Sequence, residues 1–301
     1  MEDTHYRKAP PGFSPEQWAQ FDRDGFLILE NAIEPDAVKQ LIEVVDRVAA
    51  AQPRYSAERY FNMKRIVDEA PEFADLIDHP RHVGFGYDIY GEQLKLHLSE
   101  LFVRPPGGKT TEWHPDGARV LPYRVFSPQL PLQVRVGYWL TDVLKPEDGA
   151  LVVMPGSHRQ QYLEQYTTHE KAPGEKPLLV PAGSITLHPC DLWHRVETNL
   201  GPSVRKNLYL SYCPSWITSG DRQHSDPSWL SSLTREQRII IRDYAQPYEY
   251  AKPPLEDFPL FLSREQGVDR IDGLYRDHVA LNLRHRPTAA AGWIDQSEDS
   301  R

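Results

Sequence analysis

Trp113-His114-Pro115-Asp116-Gly117 places an imidazole and a carboxylate two positions apart. On an extended chain, residues i and i+2 point to the same face, so His114 and Asp116 can converge on one ion. Such a pair needs a third ligand. Among the later histidines, His194 lies in Leu192-Trp193-His194-Arg195-Val196, a short strand-like run that follows a turn-rich segment. Two imidazoles and one carboxylate on one side of a metal leave its other positions open to exogenous ligands. Taken alone, His-x-Asp is a weak motif in a chain with 12 His and 43 acidic residues, and its bland reading is a hydrogen-bonded pair on a surface loop. The surrounding sequence separates the two readings.

Arg205 follows His194 by eleven residues and precedes the strand-like Asn207-Leu208-Tyr209-Leu210-Ser211-Tyr212. A planar guanidinium pairs bidentately with a carboxylate, so an arginine here can hold the far end of a dicarboxylate whose other end chelates the metal. The order His114-x-Asp116, Asp148-Gly149-Ala150-Leu151, Pro155-Gly156-Ser157-His158, then His194 and Arg205, resembles the phytanoyl-CoA dioxygenase-like (PhyH) branch of the Fe(II)/2-oxoglutarate oxygenases over about residues 13–213. The resemblance implies that His114, Asp116 and His194 hold Fe(II), that 2-oxoglutarate and O2 are cosubstrates, and that Arg205 pairs with the distal carboxylate of 2-oxoglutarate. It also implies a lysine near Lys64 reaching the cosubstrate and an aromatic near Tyr138 beside it. From the residues alone, Lys64 reads equally as a solvated lysine and Tyr138 as a core aromatic. His188 competes with His194 for the third ligand position, and the spacing to Arg205 favours His194. His97, which lacks a carboxylate at motif spacing, reads as a satisfied strand histidine. Arg195-Val196-Glu197 depart from the small or hydroxyl residues that often follow the distal histidine in this family, which bears on contacts to the cosubstrate or the pocket wall.

The 301 residues carry no internal repeat and no low-complexity linker near the middle, so a single domain is expected over 1–301. Acidic and basic residues are interspersed around a net charge of -9, which gives no nucleic-acid footprint. Cys190 and Cys213 are too few for a disulfide scaffold, the start of the chain lacks a signal-peptide core, and no run approaches the ~18 apolar residues of a membrane span. The expectation is a cytoplasmic enzyme with a small-molecule substrate and no membrane or nucleic-acid partner. Nothing here sets the oligomeric state.

Residues 1–12 read as a loose arm. Ser14, Pro15 and Gln17 form a capping box that starts a helix running to Asp24, where Gly25 ends it. Phe26 to Leu29 reads as a strand, and Pro35 starts a second helix with Val38, Leu41, Ile42, Val45 and Val48 on its apolar face. Further strands are expected over Tyr60–Ile66, Leu94–Val103, Gln133–Thr141, Leu151–Met154, Leu178–Val180, Ile185–Leu187 and around His194 and Asn207–Tyr212. A helix over Pro71–Gly91, broken at His79-Pro80, and a polar helix-like segment from Pro155 to Tyr166 complete the pattern. Residues 214–301 read as a helical and irregular extension, in which Leu233-Thr234-Arg235-Glu236-Gln237 opens a helix over Arg238–Tyr244.

Short strands with turn signals, preceded by amphipathic helices, fit a mainly β fold with helical additions. The expected core is a double-stranded β-helix, the cupin-like jelly roll, over residues 13–213, buttressed by N-terminal helices. The activity implied by the resemblance is hydroxylation or another oxidation of an unactivated C–H bond in a small molecule such as a natural-product intermediate or amino-acid derivative. The presence of Asp116 supports hydroxylation or a related oxidation, since related halogenases replace that carboxylate with a small residue. Trp113, Arg119, Tyr123, Trp193 and Trp216 are candidates for the substrate pocket, and Arg119, Arg124 and Arg135 could pair with an anionic group or lie at the surface. Other readings are an acyl-CoA or acyl-thioester hydroxylase of the same family, a metal-binding jelly roll without turnover, and a zinc hydrolase.

Overall fold

The structure is a computed structural model that describes residues 7–107, 111–116, 130–160, 168–243 and 259–261. Its elements follow the order α1 (Pro15–Asp24), β1 (Leu27–Leu29), α2 (Pro35–Ala50), β2 (Phe61–Lys64), α3 (Pro71–Ala74), α4 (Val83–Tyr90), β3 (Leu94–Arg104), β4 (Val134–Trp139), β5 (Leu151–Val153), β6 (Lys176–Leu178), β7 (Ser184–Pro189), β8 (His194–Val196), β9 (Arg205–Pro214), α5 (Pro227–Ser232) and α6 (Arg235–Ile241). Two antiparallel sheets face each other as in a jelly roll. The large one has the order β1-β7-β4-β9-β3-β2 and the small one β6-β5-β8.

Local chemistry accounts for the helical buttress. In α1 the Ser14 hydroxyl accepts from the Gln17 amide at 3.1 Å while the Gln17 side chain accepts from the Ser14 amide at 2.9 Å, and Gly25 closes the helix at φ 81°. Helix α2 turns Val38, Leu41, Val44, Val45 and Val48 inward at helical spacing. These side chains join alternate residues of the large sheet, among them Leu101 and Val103 of β3, Val134 and Val136 of β4, and Leu208 and Leu210 of β9, in the main core. The opposite face of the sheet meets the small sheet through Trp139, Leu151, Val153 and Leu178.

The region expected to be a loose arm is packed from Arg7 onward. Arg7 pairs with Asp78, Ala9 and Pro10 are buried, and the Phe13 amide donates to Asp88 at 2.8 Å. A Cβ on Gly84 would lie 2.1 Å from the Pro11 carbonyl oxygen, so α4 admits the crossing segment only because this position has no side chain. The 178–180 strand begins earlier than expected, at Lys176, and Val180 survives as an isolated bridge to Val143. Helix α6 covers 235–241 with all three isoleucines buried, while α5 has no counterpart among the expected elements. Of the helix-like 155–166 segment, Ser157–Arg159 form a 3-10 turn, and residues 161–167 lie outside the described residues, as do 262–301.

Strand β3 carries a β-bulge at His97, where the register against β9 shifts between Leu96 and Leu98. Before the bulge Leu94 and Leu96 face the helices, and after it Leu101 and Val103 do. The extra residue therefore turns Glu100, Phe102 and Arg104 to the other face, toward the small sheet.

Behind the sheet, Tyr138 and Tyr212 clamp the buried His82. The Tyr212 hydroxyl lies 2.6 Å from His82 Nε2 and donates to the Ile77 carbonyl at 2.8 Å, so it must accept from Nε2–H. Burial holds this imidazole neutral, well below its ordinary pKa, and its Nδ1 lone pair accepts from the Tyr138 hydroxyl at 2.6 Å. Tyr138→Phe strands that acceptor in a dry core and is expected to lower unfolding free energy by about 1–3 kcal/mol in a denaturant titration, with the cavity on the other face unchanged.

Candidate metal and ligand site

His114 and His194 are joined by reciprocal backbone hydrogen bonds: the His114 amide donates to the His194 carbonyl at 2.9 Å and the His194 amide returns the bond at 3.0 Å. This isolated bridge attaches the Trp113–Asp116 segment to the small sheet beside β8, and the two imidazole centroids lie 4.4 Å apart. The Asp116 amide is held by the Cys190 carbonyl at 2.8 Å. The ligand-bearing atoms of His114, Asp116 and His194 all lie within 4.8 Å of one another.

Each imidazole has one nitrogen already committed. His114 Nδ1 lies 2.6 Å from the Glu112 carbonyl, and His194 Nδ1 lies 2.9 Å from the Leu192 carbonyl. A carbonyl can only accept, so both Nδ1 atoms carry a proton, which leaves Nε2 as the ligand atom of each ring in its neutral form. Those Nε2 atoms approach the Asp116 carboxylate at 3.8 and 3.7 Å. Burial opposes ionisation of Asp116, but the adjacent Arg135 guanidinium overrides it and holds the carboxyl well below the usual carboxylate range. Burial also pushes His194 down to about 4 against the pull of Asp116. An ionised carboxylate and two imidazoles that turn Nε2 toward it fit a divalent transition metal and leave its remaining positions open.

Arg135 lies between two acids. It pairs with Asp116 and donates to Glu100 at 2.7 Å, with its guanidinium 4.4 Å from the Tyr209 ring. The surface and substrate-anion readings of this residue both give way to an internal ion-pair network. Beyond the His-Asp-His cluster, a cavity of about 460 Å³ opens between the sheets. Its wall includes Glu100, Phe102 and Arg104 from β3, Arg205 and Tyr209 from β9, and Leu151 and Val196 from the small sheet. Arg205 is buried, donates to the Gly149 carbonyl and lies 5.2 Å over the Trp139 ring.

Several expected site residues lie elsewhere. Lys64 is exposed beside a neighbouring depression with Gly220 and His224, and does not line the cavity, whereas Asn62, two residues earlier on the same strand face, does. Tyr138 points to the helix-covered face because it alternates with Arg135 and Trp139, so the aromatics beside the cavity are Tyr60, Phe102 and Tyr209. Trp113 and Trp193 pack with Val152 and Met154 on the outer side of the small sheet, and Trp113 donates to the Glu170 carbonyl at 2.9 Å. Trp216 is exposed. Arg119, Tyr123 and Arg124 lie outside the described residues. His97 is outside the cluster, with Nδ1 2.9 Å from the Gln133 amide nitrogen, while His188 lines the cavity 5.6 Å from the His194 ring without joining the ligand set. Tyr60, Asn62, Glu100, Arg104 and Tyr209 were not singled out from sequence. Tyr209 could have been found by alternation from Arg205, but Glu100 and Arg104 could not, because the bulge reverses the count.

The sequence model of the phytanoyl-CoA dioxygenase (PhyH) family matches residues 21–207. An ectoine dioxygenase of Nocardia farcinica is 28% identical over 235 residues, covering 65% of this chain and 76% of that protein. Among solved structures, HygX from Streptomyces hygroscopicus with nickel, 2-oxoglutarate and hygromycin B bound aligns at TM-score 0.57 and 21% identity, over 69% of this chain and 90% of that one. EctD from S. alaskensis with bound Fe aligns at TM-score 0.57 and 23% identity, over 71% and 82%. These structures share the fold, and the family match spans β1 to β8, the His-Asp-His cluster and Arg205 at the start of β9. The chain therefore belongs to the phytanoyl-CoA dioxygenase family of Fe(II)/2-oxoglutarate-dependent oxygenases.

Proposed function

We propose that the protein oxidises an unactivated C–H bond of a small molecule, with His114, Asp116 and His194 holding Fe(II) and Arg205 holding the distal carboxylate of 2-oxoglutarate. The observation that carries this reading is the convergence of two Nε2 lone pairs with an ionised carboxylate at a cavity that also contains a buried arginine. When bound, Fe(II) with 2-oxoglutarate and O2 supplies the oxidising power for C–H cleavage, as the cosubstrate leaves as succinate and CO2.

The chain's own residues orient and shield. The Glu112 and Leu192 carbonyls fix both imidazole tautomers, and Arg135 keeps Asp116 anionic while anchoring it against rotation. Phe102, Leu151 and Val196 give the cavity apolar walls that exclude water. Arg205 is pre-positioned by the Gly149 carbonyl and the Trp139 face, so little side-chain freedom is lost when a carboxylate arrives. The cavity volume of about 460 Å³ suits a small molecule better than an acyl-CoA, whose nucleotide would need phosphate contacts outside it. The names of relatives, ectoine dioxygenase and a probable hypophosphite dioxygenase, and the hygromycin B bound to HygX support a small, polar substrate.

Two tests address the assigned roles. His114→Ala, Asp116→Ala and His194→Ala are each expected to abolish iron retention, measured as metal content of the purified protein, whereas His97→Ala and His188→Ala should keep iron. Iron retained by the His194 variant would move the ligand role to another residue. In anaerobic titrations of the Fe(II)-loaded protein with 2-oxoglutarate, followed by visible charge-transfer absorption, Arg205→Ala should weaken binding by roughly tenfold to a hundredfold, the range of one lost charge-assisted pair. Wild-type protein that binds iron but gives no saturable band would overturn the oxygenase reading.

A further inference from the structure

Glu100 of β3 lines the cavity and is engaged through one oxygen only. Its Oε2 accepts from Arg135 at 2.7 Å, while the other terminal nitrogen of that arginine pairs with Asp116. Among the described residues no donor reaches Oε1. That oxygen is not sealed by packing, unlike the Nε of Arg135, which is buried without an acceptor. Lys64 stands opposite Glu100 on β2, but its side chain is exposed and among the described residues no ion pair joins the two. Because a guanidinium is rigid and planar, holding Asp116 at one terminal nitrogen and Glu100 at the other sets the two carboxylates side by side. A group bound at Oε1 therefore lies next to the His-Asp-His cluster.

An ionised carboxylate oxygen accepts and never donates, so Oε1 calls for a donor on the ligand. The surroundings favour a cationic one. Arg135 is divided between two carboxylates, which leaves this part of the wall with one negative charge more than it has positive. Glu112 adds a further carboxylate at the exposed rim of the same cavity. Phe102 follows on the same face of β3, and Tyr209 is the register partner of Glu100 on β9, so the oxygen opens beside aromatic walls that tolerate cations. Arg104, the next cation along this face of β3, is four residues or about 13 Å away. Arg205 stands opposite Arg104 on β9. A cationic ligand group at Glu100 and an anionic one at these two arginines thus occupy separate ends of the cavity.

We propose that Glu100 is a substrate-binding residue that receives a protonated amine or guanidine through Oε1, so that the molecule oxidised is a small organic cation. This rests on the oxygenase reading above and narrows its substrate class. Arg135 ties the Glu100 carboxylate to Asp116, so the anchored nitrogen keeps a fixed relation to the metal ligands. The carbon oxidised is then set by its number of bonds from that nitrogen.

The test is anaerobic titration of the Fe(II)- and 2-oxoglutarate-loaded protein with probes that differ in charge but little in shape: butylguanidinium against butylurea, and butylammonium against 1-butanol, with butyrate as the anion. Perturbation of the charge-transfer band reads binding beside the metal without turnover. In wild type the two cations should bind roughly tenfold or more tightly than their neutral counterparts, the range of one charge-assisted hydrogen bond. Glu100→Gln should remove that preference, and its own 2-oxoglutarate titration reports whether the site is intact. Should this variant lose the band, the comparison of cation with neutral probe in wild type decides. Equal binding of butylurea and butylguanidinium, preference for butyrate, a cation preference that survives in Glu100→Gln, or no perturbation by any cation would each overturn the proposal. No band in wild type before any probe is added would instead remove the oxygenase reading on which it rests.

Discussion

The site depends on two backbone hydrogen bonds exchanged between His114 and His194. Together with the Thr111–Val196 and Asp116–Cys190 bonds they hold the 111–116 segment against β8, so that histidines 80 positions apart in the sequence share a face. Antiparallel pairing sets their rings 4.4 Å apart before any ion is considered. The neighbouring carbonyls then choose the tautomers, because an acceptor beside Nδ1 leaves only Nε2 with a lone pair. Ligand geometry is thus a property of the backbone, and the side chains inherit it.

Around that bridge the cavity wall carries three arginines, Arg104, Arg135 and Arg205, and three acids, Glu100, Glu112 and Asp116. Arg135 is balanced by Asp116 and Glu100, and their attraction outweighs the burial that would otherwise weaken its proton affinity. Arg104 and Arg205 are not balanced among the described residues, and burial draws both downward. The cavity therefore divides into a neutralised part beside the His-Asp-His cluster and a cationic part farther along β3 and β9. A ligand that chelates metal at one end and carries negative charge at the other matches this division.

Much of the architecture was legible from local chemistry. The Ser14 capping box, the Gly25 stop, the inward valines of α2 and the break at His79-Pro80 depend on interactions within a few residues, and these elements formed where those interactions predict. His114, Asp116, His194 and Arg205 were identifiable as a set from motif order, and all four meet at one cavity. Lys64 and Tyr138 show the limit of that approach. Both were placed by resemblance near the cosubstrate, and strand parity sends Tyr138 to the helical core while the sheet edge leaves Lys64 in solvent. The tryptophans near the ligand residues in sequence proved to be packing or surface residues, since adjacent positions on a strand point to opposite faces.

By itself the sequence determined most of the elements from residue type at short spacing, and motif order with the family resemblance pointed to the jelly-roll class and to His114, Asp116, His194 and Arg205 as candidate site residues. Only the tertiary structure decided which way β3 faces. A simple alternation from Leu94 and Leu96 would send Glu100, Phe102 and Arg104 into the helical core, yet one extra residue at His97 reverses the parity. That bulge is stabilised by partners far away in the chain, with Gln133 against the His97 ring and the Gly220 amide on its carbonyl at 2.7 Å. No local pattern encodes such contacts, so the charge that β3 contributes to the cavity is a product of folding rather than of spacing.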